Sequence, residues 1–141
     1  MVKEIKVWTD GGVINENGIG ALGVVIMINN KNKLYKVRVE NITNNEAEYL
    51  AVIFALKKLK QLLGKKEIKT NKIIIHLDSE LVGNQLLGKY KIKEERLQKL
   101  FIKFWNLKID FPLLEIKIIP REENKLADKL VKSIIFEKKL F

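Results

Sequence analysis

The sequence predicts an α/β fold with a five-stranded mixed sheet, an antiparallel meander joined to parallel strands and flanked by helices. Three observations carry this. Three β-prone runs between Glu4 and Val39 follow one another through short connections, which favours antiparallel pairing. The apolar period then changes at Thr43 from that of a strand to that of a helix. From there on, helices and strands alternate, the pattern of crossover units that place strands in parallel.

In chain order, Glu4 to Thr9 reads as the first strand, followed at Asp10-Gly11-Gly12 by a turn. Val13 to Gly18 is a loop, and Leu22 to Ile28 is too short and too β-branched for a helix, hence a central strand. A turn at residues 29–32 leads to a third strand, whose Lys33, Lys36 and Arg38 suit a protected edge. Thr43-Asn44-Asn45-Glu46 has the form of a capping box. Ala47, Leu50, Ala51, Phe54, Ala55 and Leu62 recur behind it at helical spacing until Gly64. Ile73 to Leu77 is almost wholly apolar, as a strand covered on both faces should be. Asp78-Ser79 caps a brief helix that ends at Gly88. A further helix presents Leu97, Leu100, Phe101, Phe104 and Trp105 on one face. Leu114 to Ile119 forms the fifth strand, closed by Pro120. Leu126, Ala127, Leu130, Val131, Ile134 and Ile135 mark a final amphipathic helix. The predicted order is β-β-β-α-β-α-α-β-α in one domain, residues 1–141.

At 141 residues, 47% of them hydrophobic and 31% charged, the chain can bury an ordinary core. Its net charge of +10 favours a polyanionic partner, nucleic acid or an anionic surface, although a lysine-rich genome would decorate any surface in the same way. The absence of cysteine excludes disulfides and thiolate metal sites and fits a cytoplasmic protein. No run approaches the length of a membrane span, and no apolar signal region follows Met1.

The chemistry lies in the acidic residues. In α/β sheets functional groups gather at the carboxyl ends of parallel strands. Asp10 and Asp78 close the first and fourth strands, so they face each other if those strands are neighbours. Glu48 lies one turn into the first long helix with Ala51 and Val52 at i+3 and i+4, and no lysine partner there. Asp128 opens the last helix. Each residue also has a plainer role: Asp10 in its turn, Asp78 as a cap, Glu46 in the capping box and Asp128 paired with Lys132. Clustered carboxylates raise one another's pKa and persist where a cation neutralises them.

Thr9-Asp10-Gly11-Gly12, Thr43-Asn44-Asn45-Glu46-Ala47-Glu48-Tyr49, Asp78-Ser79 and Pro120-Arg121-Glu122-Glu123-Asn124-Lys125-Leu126-Ala127-Asp128 resemble, in order and over nearly the whole chain, the motifs of type 1 ribonuclease H. The likeness is to archaeal and bacterial members with a T-N-N-x-A-E-Y motif and an N-x-x-A-D ending. That resemblance implies a ribonuclease H-like fold and endonucleolytic hydrolysis of the RNA strand of RNA–DNA hybrids, leaving 5′-phosphate and 3′-hydroxyl ends. It implies two Mg²⁺ ions, which Mn²⁺ can replace, held by Asp10, Glu48, Asp78 and Asp128, and it selects Glu48 over Glu46. It also implies that Gly11, Asn44 and Asn45 meet ribose hydroxyls or bases, and that Thr43 holds a DNA-strand phosphate. The expected enzyme is a monomer that binds nucleic acid through a basic surface and has no membrane partner.

The chain departs from many relatives. Only residues 88–93 separate the two middle helices, too few for the basic helical protrusion, and Lys89, Lys91 and Lys93 read either as a partial substitute or, more commonly for such lysines, as a solvated loop. Glu80 and Glu16 replace a Gln and an Asn. Arg121 occupies a loop where others carry His, as a fixed charge for the scissile phosphate or as a surface residue. His76, the sole histidine, reads as a satisfied strand residue. Junction cleavage by the same fold, as in resolvases and integrases, and non-catalytic nucleic-acid binding are the competing readings. The second requires a broken carboxylate set, and this set is intact.

Overall fold

The computed structural model describes residues 3–14 and 17–139, with side chains through residue 134. β1 (Glu4–Val13), β2 (Gly20–Ile28) and β3 (Lys31–Val39) form the meander. They are followed by α1 (Asn44–Leu62), α2 (Lys65–Thr70), β4 (Lys72–Leu77), α3 (Glu80–Leu86), α4 (Glu95–Lys108), β5 (Leu114–Ile118) and α5 (Lys125–Lys139). The sheet order is β3-β2-β1-β4-β5, so the five-stranded mixed sheet is as expected. β1 is antiparallel to β2 and parallel to β4, and β4 is parallel to β5.

The side-chain alternation of β1 and β2 divides the core. Ile5, Val7, Leu22, Val24 and Ile26 point to the face covered by α1, which contributes Ala47, Ala51, Val52, Ala55, Leu56 and Leu59. α4 adds Leu97, Leu100 and Phe104 to this layer. On the opposite face Ala21 meets Val131 and Ile134 of α5. β4 is buried from Ile73 to Leu77, as its apolar run requires. The β2–β3 hairpin closes at Asn29 and Asn30, with φ of 52° and 63°, a two-residue turn of the kind Asn tolerates and tighter than the four-residue turn expected.

Four further expectations are corrected. Asp10-Gly11-Gly12 is not a turn: β1 continues to Val13, paired with Gly20–Gly23 of β2. A short helix, α2, follows Gly64, with only Ile68 buried. Trp105 lies off the buried face of α4 and is 49% exposed. Leu126 is likewise exposed, because Ala127 rather than its bulkier neighbour faces the sheet. The reading of Ile135 concerns a side chain outside the described residues, and that of Glu16 falls outside them altogether.

Candidate active site

The parallel pairing of β1 with β4 ends at Trp8 and His76. Asp10 and Asp78 each stand two residues beyond that pair, where β1 goes on beside β2 while β4 gives way to α3. This is the crevice position at which α/β sheets present their functional groups.

Two glycines admit the helices that complete the site. A Cβ on Gly11 would overlap the Ala47 carbonyl and the Glu48 amide, so the first turns of α1 sit directly against the strand beside Asp10. Gly23, the cross-strand partner of Asp10, does the same for α5: a Cβ there would overlap the Ala127 carbonyl. The first glycine thus brings in Glu48 and the second brings in Asp128. Close helix approach, not a bend in the chain, is what the glycine after Asp10 provides.

The result is a cluster in which ligand oxygens of Asp10, Glu48 and Asp78 all lie within 4.8 Å of one another. Asp10 and Glu48 are buried and Asp78 is half-buried. Asp128 does not join this three-way approach. Its Oδ2 lies 2.9 Å from Lys132 Nζ, the i+4 pair foreseen as its plainer role, yet its charge still acts on Asp10.

Burial, then the Asp78 charge, then that of Asp128 push the Asp10 carboxyl up to about 7, against relief from a hydrogen bond with Glu48 and from the Gly11 amide. Glu48 is raised well above the usual carboxylate range, first by burial and then by Asp10 and Asp78. Both carboxyls are therefore held above the usual carboxylate range by burial and by one another's charge. Glu48 Oε2 is buried without a hydrogen-bond partner among the described residues. An unpartnered buried oxygen beside two more carboxylates is costly unless a proton or cation meets it. The donors are hard oxygens, the set that divalent ions such as Mg²⁺ prefer, so the residues fit that group.

Asn124 is a component that sequence reasoning missed. It is 1% exposed, and its Nδ2 donates to Thr9 O at 2.8 Å and to Asp78 Oδ2 at 2.9 Å. It therefore ties the site loop before α5 to β1 and orients one carboxylate. The available signal was an amide side chain four residues before Asp128 in an otherwise charged loop.

The expected substrate-contacting residues lie on β1, at the start of α1 and on the turn before α5. Gly11 is half-buried against α1. Thr43 is the N-cap of α1: its Oγ1 accepts from the Glu46 amide at 3.3 Å, and its own amide donates to Glu46 Oε1 at 3.1 Å. Asn44 is exposed, and its Oδ1 accepts from the Val13 amide at 2.8 Å. Asn45 is half-buried, while Arg121 is exposed on a 3-10 turn just before Asn124. Lys89, Lys91 and Lys93 are exposed on the connection between α3 and α4. His76 is away from this chemistry. It is buried, its ring stacks on Trp8 at 4.8 Å, and its Nδ1 lies 2.9 Å from Val7 O.

A mixed sheet in this order, with carboxylates gathered where β1 and β4 part, defines an enzyme of the ribonuclease H class. Consistent with this, the family model described as Reverse transcriptase-like matches residues 8–134, and the chain belongs to that family. Among solved structures it is similar to LC11-RNase H1, isolated from compost by a metagenomic approach: 38% identity, 100% of both chains and a TM-score of 0.85. The structure of LC11-RNase H1 in complex with RNA/DNA hybrid is 36% identical over 97% of this chain and 99% of that one, with a TM-score of 0.86. A putative hydrolase, EbsB of Enterococcus faecalis, is 28% identical over 93% of each chain. The chain spans only 59% and 34% of the length of some longer curated relatives.

Proposed function

We propose that this chain is a single ribonuclease H-like catalytic domain that cuts the RNA strand of RNA–DNA hybrids endonucleolytically, leaving 5′-phosphate and 3′-hydroxyl ends. The observation that carries the reading is the convergence of Asp10, Glu48 and Asp78 within 4.8 Å, with Glu48 Oε2 unpartnered. The hybrid bound by the similar LC11-RNase H1 supports the substrate class. In this reading Asp10, Glu48 and Asp78 hold two divalent ions, Mg²⁺ or in its place Mn²⁺, and Asp128 completes the set on release from Lys132. Such ions supply activation of a water and charge stabilisation of the departing 3′ oxygen in an in-line displacement.

The chain's own residues do the positioning. Asp10 lies centrally among the carboxylates, within reach of both Glu48 and Asp78. Asn124 fixes the Asp78 carboxylate. Gly11, Asn44 and Asn45 are the residues this reading assigns to the minor groove and its 2′-hydroxyls, the groups that mark RNA. Thr43 and the exposed lysines offer contacts for phosphates, and Arg121 offers a forked, permanently charged donor beside the site. The enzyme acts as a monomer in the cytoplasm in this reading. Among the described residues no helix is long and apolar enough to cross a membrane.

The deciding experiment uses end-labelled RNA–DNA hybrid, double-stranded RNA, duplex DNA, a four-way junction and single-stranded RNA, each with Mg²⁺ and with EDTA. Internal cuts confined to the RNA of the hybrid, and abolished by EDTA, are expected. Junction cleavage with the hybrid left intact would replace this reading with a resolvase-like one.

A further inference from the structure

The turn that leads into α1 is clamped from a helix that carries none of the expected site residues. Arg96, in the first turn of α4, places Nη2 3.0 Å from Glu46 Oε2 and 2.8 Å from Asn41 O. Glu46 is buried, and its other carboxylate oxygen accepts from the Thr43 amide. Asn41 has a φ of 56°, a left-handed conformation that Asn adopts more readily than other residues with a side chain, and the Arg96 contact to its carbonyl ties it there. The adjacent Ile42 amide donates to Gly18 O at 3.1 Å, and Asn44 is tied to Val13. One guanidinium thus joins both ends of the segment from Asn41 to Glu46, whose interior holds Thr43, Asn44 and Asn45.

We infer that Arg96 is a positioning residue for hybrid binding: it fixes the Thr43-Asn44-Asn45 turn through Glu46 and Asn41 without contacting the reacting atoms. The inference rests on the proposed function and adds a specificity device to it. Removing the guanidinium leaves a buried carboxylate oxygen unmatched and a left-handed residue untied. The turn then samples other conformations, and the hybrid pays the ordering entropy when it binds. The carboxylate cluster is held separately, by Gly11, Gly23 and Asn124, so turnover at saturation survives.

The test compares wild type, Arg96→Met, Arg96→Lys and Glu46→Gln in steady-state cleavage of the hybrid, at a temperature where melting curves show all four folded. KM is expected to rise about three- to tenfold in Arg96→Met, the scale for losing a charge-assisted bond whose carboxylate is buried and whose guanidinium is half-exposed, with kcat little changed. Glu46→Gln should raise KM in the same way, and Arg96→Lys should recover part of the loss.

The alternative is that Arg96, which is partly exposed, binds a phosphate directly. In that case Glu46→Gln would free the guanidinium and leave KM unchanged or lower, and the dependence of log Kd on log salt would lose about one unit of slope in Arg96→Met. Either result would overturn the inference, as would a fall in kcat at unchanged KM. If wild type leaves the hybrid uncut in the presence of Mg²⁺, the proposed function fails instead, so the two failures are distinguishable.

Discussion

The side-chain amide of Asn124 donates to Asp78 Oδ2 across 2.9 Å and, from the same nitrogen, to the carbonyl of Thr9. A carboxylate at the end of β4 is thereby referenced to the strand that carries Asp10, through a residue buried to all but 1% of its surface. Asn124→Ala should cost about 1–3 kcal/mol, because the Thr9 carbonyl loses its donor in a buried place. It should also weaken divalent-ion binding, since Asp78 is no longer oriented. Thermal melting and calorimetric Mg²⁺ titration of the variant check the two effects separately. A variant that loses stability yet binds Mg²⁺ as wild type does would show that Asn124 serves packing alone.

Metal and proton should compete for the carboxylate cluster. The folded-state pKa of Asp10 is raised to about 7. Its contribution to metal-free stability is therefore complete below the unfolded value near 4 and is lost as pH rises through 7. Glu48 is shifted in the same direction and adds to the loss. The protein without metal should melt at progressively lower temperature from about pH 4 to pH 8, and millimolar Mg²⁺ should restore the melting temperature at the upper end. Asp10→Asn should abolish cleavage while raising the metal-free melting temperature at pH 8. A metal-free mutant that melts below wild type there would contradict the clustering.

Glu46 and Glu48 are two residues apart on α1 and both are buried, but only Glu48 faces the other carboxylates. At saturating hybrid, Glu48→Gln should lose nearly all turnover. Glu46→Gln keeps a polar group at the capping position and should retain turnover, at a cost of about 1 kcal/mol in stability. Single-turnover cleavage with matched melting curves compares them, and equal losses would reverse the assignment.

His76 should contribute nothing to the pH profile of the reaction. Burial holds its pKa below the usual histidine value, with Lys117 and Lys6 adding to the effect against the Val7 carbonyl. Arg121 cannot titrate in the working range. With Mg²⁺ saturating, so that protons do not compete for the carboxylate cluster, activity measured from about pH 5.5 to 9 should rise without a separate break near 6.5. Arg121→Ala should lower the rate and leave the profile's shape unchanged. A break near neutrality that disappears in His76→Ala would make the histidine a proton shuttle.

Much of this architecture was legible in the sequence because local and tertiary preferences agree. The apolar runs of β2 and β4, the Thr43–Glu46 capping box and the Ser79 cap all appear where their residue types place them. The meeting of Asp10 with Asp78 followed once β1 and β4 proved to be neighbours. Other features were hidden for identifiable reasons. Two consecutive glycines favour a turn locally, and only the packing of α1 shows why β1 stays extended through them. α2 is short and mostly polar, so no apolar period announces it. Trp105 fits the spacing of Leu97 and Phe101, but the buried stripe of α4 is narrower than that spacing allows. Asn124 stands in the N-x-x-A-D ending, but what it does there depends on a carbonyl 115 positions away.

The glycine pair beside Asp10 has a consequence for any deep mutational scan of this chain. Neither Gly11 nor Gly23 carries a group that can bind a cation or move a proton. Yet the smallest possible addition at either position intrudes on helix backbone that has nowhere to retreat without carrying its acidic residue away. In an activity screen both positions should tolerate as little as Asp10 does, and a reader of the score map alone would count them as part of the chemistry. Tolerance profiles collected for folding and for catalysis should diverge in opposite senses: Asp10 variants accumulate as stable, silent protein, whereas alanine at 11 or 23 depletes both populations together.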